Sequence, residues 1–227
     1  MKLIINNNDC LSNIINIANS CINLGHWPNY FKILTTIIIP KPNKSLFDHP
    51  KAFCLIVLLN TLGKLIEKVV AERLQFIIVY NDFIHPSQLG SLKFKSTLDA
   101  GIVLTHIVQS EWAKGKSTSS LVFNISQFFL SLNHRLLILI LEKAGLNLKV
   151  MVFFANYLVQ RRTNYLWNDL SSPMFDVNVG VGQGSVLSPL LSILYLSLLL
   201  YILENQLKNL KIPISILSFV DDGLFIG

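Results

Sequence analysis

The sequence predicts an α+β fold. Three observations carry that expectation: amphipathic or apolar helical runs of 12–21 residues, short β-branched runs between them, and turn signals that join the later runs as antiparallel hairpins rather than βαβ crossovers. Hydrophobic residues make up 52% of the 227 and charged residues only 14%, a balance that excludes a disordered chain and calls for a large buried core. No internal repeat and no long linker interrupts it.

Residues 11–24 read as a helix stopped by Gly25 and Pro28, and Ile33–Ile39 as a buried strand. The run PKPNK at 40–44 is a stiff basic loop, because each proline fixes φ and removes a donor. Asn60–Tyr80 is a long amphipathic helix. Leu62, Leu65, Ile66, Val69 and Leu74 form its apolar face, and Lys64, Glu67, Lys68, Glu72 and Arg73 much of the polar one. HPSQLGSLKFKST at 85–97 reads as a basic loop. Thr97 or Asp99 then caps a helix running to about Lys114.

A strand is expected over 119–125, a helix over 133–144 with Gly145 as its stop, and another over 148–160. Strands near 163–168 and 174–181 lead into the turn GVGQGS. An apolar helix and a hairpin centred on Asp221–Asp222 follow. Val186–Leu203 approaches the ~20 apolar residues of a membrane span. It is broken by Ser188, Pro189, Ser192 and Ser197 and lacks clustered basic flanks, so a buried core helix is expected and no stable membrane association.

The net charge of +6 suits a polyanion or an anionic membrane, though spread over this length it is modest. Cys10, Cys21 and Cys54 are odd in number and widely spaced. Neither a disulfide partner nor a zinc site is expected, and a reducing compartment is. The N-terminal segment has no secretory signal pattern. The five histidines show no metal spacing, and Trp27, Trp112 and Trp167 are expected in packing roles.

Two stretches carry chemistry. Asp221 and Asp222 are adjacent acids in a tight turn fed by apolar strands. Their repulsion calls for an offset, and a hard Mg²⁺, which takes oxygen ligands and commonly only one or two carboxylates, supplies it. Asp-Asp-Gly is also ordinary turn chemistry. The run Gly182-Gln183-Gly184-Ser185 before a helix lets backbone approach a ligand closely and presents free N–H groups; an ordinary strand-to-helix turn is the plainer reading.

Taken together these stretches resemble the reverse transcriptases of non-LTR retrotransposons, the LINE- and Jockey-like elements. FVDD at 219–222 is similar to their [YF]-x-D-D motif, and GVGQGSVLSPLL at 180–191 to their G-x-x-Q-G-x-x-x-S-P block. IIIPKPNK (37–44), LLNTLGKLIEKVVAERL (58–74), QLGSLKFKSTLDA (88–100) and LVFNISQFFLSLNHRLL (121–137) match further blocks in the family's order. The resemblance covers about residues 24–227.

The resemblance implies a right-hand polymerase: residues 1–23 a helical extension, 24–117 fingers-like, 118–227 palm-like with an antiparallel sheet packed on helices. It implies RNA-directed DNA polymerase activity by two-metal phosphoryl transfer, with two Mg²⁺ (Mn²⁺ as the alternative) and with RNA template, DNA primer and dNTP as partners. An intracellular location, the nucleus included, fits the family. By resemblance Asp221 and Asp222 hold metal. Phe129 faces the sugar, Gln183 and Gly184 meet the nascent pair and template, and Lys41, Lys44, Lys93 and Lys95 contact phosphate or template.

Three departures are visible. Asn124 stands where the family places its first catalytic and metal-binding Asp. Cys54 replaces a fingers arginine, and Leu130 a proline. The family continues past the acidic hairpin into a thumb, so a truncated copy is expected. The expectation for this chain is a polymerase domain whose own activity is lost or impaired. A catalytically dead nucleic-acid-binding remnant is the alternative, and a membrane-associated protein the third reading.

Overall fold

The computed structural model describes residues 8–42 and 46–227, so Lys44 and the end of the PKPNK loop lie outside the described residues. The chain divides into two compact units, each assembled from two stretches: 1–73 with 129–188, and 74–128 with 189–227. The mix of helices and sheets is the α+β class expected.

The first unit opens with α1 (Asn8–Asn23). Gly25 ends it at φ +60°, and a Cβ there would meet Val152 at 2.6 Å, so the stop requires glycine twice over. The β-branched run forms β1 (Ile33–Pro40), which pairs antiparallel with β2 (Phe53–Leu58). β2 was not foreseen: FCLIVL is too short and too uniformly apolar to show a period. The helix α2 (Thr61–Tyr80) follows and runs from the first unit's sequence into the second's.

After β2 and α2, the first unit resumes with α4 (Phe128–Ser131), α5 (His134–Lys143) and α6 (Leu148–Leu158). Asn133 and Asn147 cap α5 and α6 through side chains that accept from the N–H groups of Leu136 and Val150, both at 3.0 Å. Then come β4 (Arg161–Trp167), β5 (Leu170–Ser171) and β6 (Phe175–Val177). β4 starts two residues before the expected strand and pairs in parallel with β1, from Ile33 opposite Arg162 to Ile37 opposite Leu166. Parallel partners this far apart in sequence leave no local signal. The stretch 178–181 is not strand.

Trp27 is buried at the heart of this unit. Its ring lies 5.2 Å from Phe31, 5.3 Å from Tyr157 and 5.8 Å from Phe153, in the tilted and edge-on arrangements aromatic quadrupoles favour.

In the second unit α3 (Thr97–Ala113) is capped by Ser96, one residue before the expected cap. The Ser96 N–H donates to Asp99 Oδ2 at 2.6 Å and the Asp99 N–H to Ser96 Oγ, a capping box. α7 (Ser188–Asn209) is long and apolar enough to cross a membrane by length and composition. Leu190, Leu191, Ile193, Leu194, Leu196 and Leu200 are buried on it, as a core helix requires. Trp112, expected in packing, is 62% exposed at the end of α3.

The antiparallel sheet of this unit runs β3 (Ser120–Asn124), β8 (Asp222–Ile226), β7 (Ser215–Phe219). Leu89, Leu217 and Ile226 form its core, with Ala100, Leu104 and Ile107 of α3 packed against them.

Candidate active site and the turns that frame it

The acidic turn is built by strand register. Phe219 pairs with Asp222, which leaves Val220 and Asp221 as a two-residue hairpin turn. The expectation of a hairpin centred on both acids is therefore corrected: Asp221 lies in the turn and Asp222 is the first residue of β8. Val220 takes φ +60°, a left-handed conformation that a β-branched residue adopts at a cost of about 1–3 kcal/mol.

Strand β3 brings the third group. Asn124 lies directly opposite Asp222 in the β3–β8 ladder, and the Ile125 N–H donates to the Asp221 carbonyl at 3.0 Å. The Phe123 ring lies over Gly223, its cross-strand partner; a Cβ at 223 would fall 2.0 Å from that ring. The hairpin sequence therefore needs glycine immediately after its acids.

The Asn124 amide donates through Nδ2 to Asp222 Oδ1 at 2.7 Å. A carboxylate at 124 would face Asp222 with oxygen against oxygen, a contact that only a cation or a proton makes favourable. The amide satisfies Asp222 without either. Burial pushes the Asp221 carboxyl above the usual range, and the charge of Asp222 adds to the rise.

Asp221 and Asp222 supply two carboxylates, a number that suits one hard divalent ion. They do not suit two: one Asp222 oxygen is engaged by Asn124, and among the described residues no three His, Cys, Asp or Glu side chains converge.

Lys93 and Lys95 belong to the same unit and are exposed on the loop before α3. Between them Phe94 is fully exposed and sits at φ +63°. The Lys95 ammonium reaches the Gln88 carbonyl at 3.4 Å.

The first unit holds Lys41, Phe129, Gln183 and Gly184. Lys41 follows β1 and is half-buried, its N–H donating to the Ala52 carbonyl. Phe129 is half-buried on α4, where its carbonyl accepts from the Val181 N–H at 2.7 Å. The Gly180 N–H donates to the Leu132 carbonyl, and a Cβ at 180 would meet Leu130 backbone at 2.5 Å, so strand-like continuation gives way to a tight loop. Cys54 is half-buried on β2 opposite Ile39.

The Gln183 side chain is exposed, but its backbone is pinned. The Val57 N–H of β2 donates to the Gln183 carbonyl at 2.8 Å, and a Cβ at Gly184 would lie 2.4 Å from the Val57 oxygen.

The next two residues are gripped by Glu67, expected on the polar face of α2 and in fact fully buried. Its carboxylate accepts from Tyr157 Oη (2.8 Å), Ser185 Oγ (2.8 Å) and the Val186 N–H (2.9 Å). The Leu187 N–H donates to Ser185 Oγ at 3.1 Å. A buried carboxylate thus occupies the approach to the N-terminus of α7, where the helix dipole favours negative charge. Burial and the Glu67 charge push the Tyr157 phenol far up, which keeps it protonated and donating. The Arg161 guanidinium lies 5.1 Å from the Tyr157 ring centre, buried, with Nη1 lacking a partner.

Residue type puts Glu67 on the polar face of α2, and the burial of its neighbours puts it elsewhere. Gly63, Ile66, Val70, Ala71, Leu74 and Ile78 are buried along α2, and position 67 falls inside that stripe.

The family follows from comparison with known proteins. The sequence profile of the reverse transcriptase (RNA-dependent DNA polymerase) family matches residues 39–227. This chain belongs to that family.

A curated relative, a probable RNA-directed DNA polymerase from transposon BS of Drosophila melanogaster, is 28% identical over 184 residues. That match covers 77% of this chain and only 19% of the relative. Among solved structures, the telomerase of Candida albicans in complex with a fragment of telomeric RNA superposes with TM-score 0.62 at 13% identity, covering 95% of this chain and 42% of that one. The corresponding Candida tropicalis complex gives 0.62 at 14% identity, covering 96% and 39%. At such identities the likeness is one of fold, and it agrees with a fingers-and-palm α+β architecture. Reverse transcriptases generally use divalent metal ions and copy an RNA template.

Proposed function

We propose that this chain is the RNA-directed DNA polymerase domain of a non-LTR retroelement in which nucleotidyl transfer is impaired at the metal site while nucleic-acid binding persists. The observation that carries this reading is the Asn124–Asp222 hydrogen bond, which satisfies internally a carboxylate that the family's chemistry gives to metal.

In this reading Asp221 and Asp222 hold a single Mg²⁺ or Mn²⁺. A second such ion, were the site to hold one, would join the first in activating a primer hydroxyl and stabilising charge at phosphorus. Asn124 brings no charge to that task. The amide keeps the β3–β8 register and removes one of about three carboxylates that two divalent cations call for.

The template side is proposed for the same fold. Phe129 faces the sugar, and Gln183 and Gly184 meet the nascent pair on a turn whose backbone is fixed by Val57 and Glu67. Residues 24–117 act as fingers and 118–227 as palm. Lys41, Lys44, Lys93 and Lys95 contact phosphate or template, and Phe94 between two lysines adds a stacking face of the kind that holds single strands. Template RNA, a DNA primer and dNTP are the partners. Such binding is largely electrostatic and weakens steeply with salt.

Primer extension on an RNA template with Mg²⁺ or Mn²⁺ tests this, comparing the chain with Asn124→Asp, each fused to the thumb of a related enzyme. Extension by Asn124→Asp alone supports the reading. Extension by the unmodified chain at an equal rate overturns the role given to Asn124.

A further inference from the structure

We propose that Gln88 is a positioning residue for the acidic turn: its buried amide holds Val220 in the left-handed conformation that sets Asp221 at the tip of the hairpin. The inference rests on reading Asp221 and Asp222 as the ion-holding pair.

Gln88 is fully buried, on the loop between α2 and α3. Its Oε1 accepts from the Val220 N–H at 3.0 Å and from the Gly90 N–H at 2.9 Å. Its Nε2 donates to Ser218 Oγ at 3.1 Å and reaches the Val220 carbonyl at 3.4 Å. One side chain therefore addresses both backbone polar groups of a single residue. Two N–H donors on Oε1 fix which end of the amide faces which group.

The loop is tied to the hairpin by its backbone as well. The Leu89 N–H donates to the Ser218 carbonyl at 2.8 Å, and the Ser218 N–H to the Ser87 carbonyl at 2.9 Å, a parallel bridge on the outer edge of β7. Gly90 permits this closeness: a Cβ there would fall 2.6 Å from the Val220 nitrogen. The sequence HPSQLG thus has a physical reading, a short edge segment that ends in one buried amide and one glycine.

A two-residue hairpin turn with glycine at its first position needs no outside support. Here the position is Val220, β-branched and left-handed, the kind of conformation that persists only where its surroundings over-determine it. Gln88 supplies that determination. Without it Val220 relaxes toward extended backbone, and the Asp221 carboxylate turns with it while β3 and β8 stay paired.

The test is hydrogen exchange by mass spectrometry on the full chain, for the unmodified protein, Gln88→Ala and Gln88→Glu, with Mn²⁺ titrated against each and followed by electron paramagnetic resonance. In Gln88→Ala the amide at position 220 exchanges roughly tenfold faster, while the β3 amides keep their rates. Gln88→Glu keeps both acceptor contacts and falls between. Mn²⁺ affinity drops roughly tenfold in Gln88→Ala. It returns when Val220→Gly is added, because glycine holds the turn unaided.

Unchanged exchange at position 220, or a uniform rise across the whole sheet, overturns the proposal, as does failure of Val220→Gly to restore affinity. If the unmodified chain binds no Mn²⁺, the ion-holding reading fails, and the exchange result alone still decides whether Gln88 holds the turn.

Discussion

Two turns in this molecule are fixed by buried side chains from outside them, and the chemistry of the two grips differs. The Ser185–Val186 end of the turn that follows Gln183 and Gly184 is held by a carboxylate: Glu67 gathers a phenol, a hydroxyl and a backbone N–H just before α7. The Val220–Asp221 turn is held by an amide, Gln88, which both accepts and donates. The difference follows from what each turn presents. Ahead of α7 the two hydroxyls and the backbone N–H that face Glu67 each turn a donor toward it, and an acceptor-only carboxylate satisfies all three. The acidic turn offers a donor and an acceptor beside two carboxylates. A third negative charge there would oppose them, and an amide does not.

Breaking the charged grip has the larger effect. Glu67→Ala removes the acceptor shared by the Tyr157 and Ser185 hydroxyls and the Val186 N–H, and leaves the two buried hydroxyls, 3.0 Å apart, only each other to bond and the Val186 N–H without its partner. We expect a loss of about 3–5 kcal/mol in urea unfolding, or failure to fold. Glu67→Gln keeps the shape but forces one donor to face an NH₂ group, and about 1–2 kcal/mol is expected. Equal small losses for both variants would mean that the carboxylate is not what holds this turn.

The site between strands comes next. Asn124→Asp sets two carboxylates face to face across β3 and β8. Without divalent ions we expect about 1–2 kcal/mol of destabilisation. With millimolar Mg²⁺ or Mn²⁺ that loss reverses, since ligand binding to the folded state alone raises stability. The unmodified chain should show a smaller response to the same ions. Thermal unfolding with and without ion reads both.

The smallest effect is the pH response of two buried histidines. Burial lowers the pKa of His85 and, in the first unit, of His134. Each is neutral in the fold and takes up a proton more readily when unfolded. The stability they confer is complete above the ordinary histidine value of about 6.5 and is lost as pH falls through their lower folded values. The effect is seen as a lower Tm at pH 5 than at pH 7.5. His85→Gln should flatten the part that belongs to the second unit. The Glu204 carboxylate at 3.4 Å from His85 opposes the burial effect, and the Lys208 charge adds to it.

Much of this architecture was legible from local pattern. The helix of residues 61–80 carries length and an amphipathic period, that of 97–113 a capping signal at its start, and that of 188–209 a long apolar run, and the acids at 221 and 222 are flanked by strands on both sides. What was hidden is non-local. The parallel pairing of β1 with β4 joins residues more than a hundred positions apart, and β2 shows no alternation to announce a strand. Glu67 was read as a solvated charge because its type is polar; only the donors that meet it make burial affordable. Gln88 opens the QLGSLKFKSTLDA block, but nothing in that block announces that its amide is buried against Val220. Asn124 was legible as a departure, and its hydrogen bond to Asp222 needed coordinates.

The most direct test of the account is a calorimetric Mg²⁺ and Mn²⁺ titration of the chain against Asn124→Asp. The account predicts that Asn124→Asp binds more ions, or binds them at least about tenfold more tightly, because a carboxylate replaces an amide that now satisfies Asp222. Identical stoichiometry and affinity in the two proteins would contradict it and would show that Asn124 is not what separates this chain from the metal chemistry of its family.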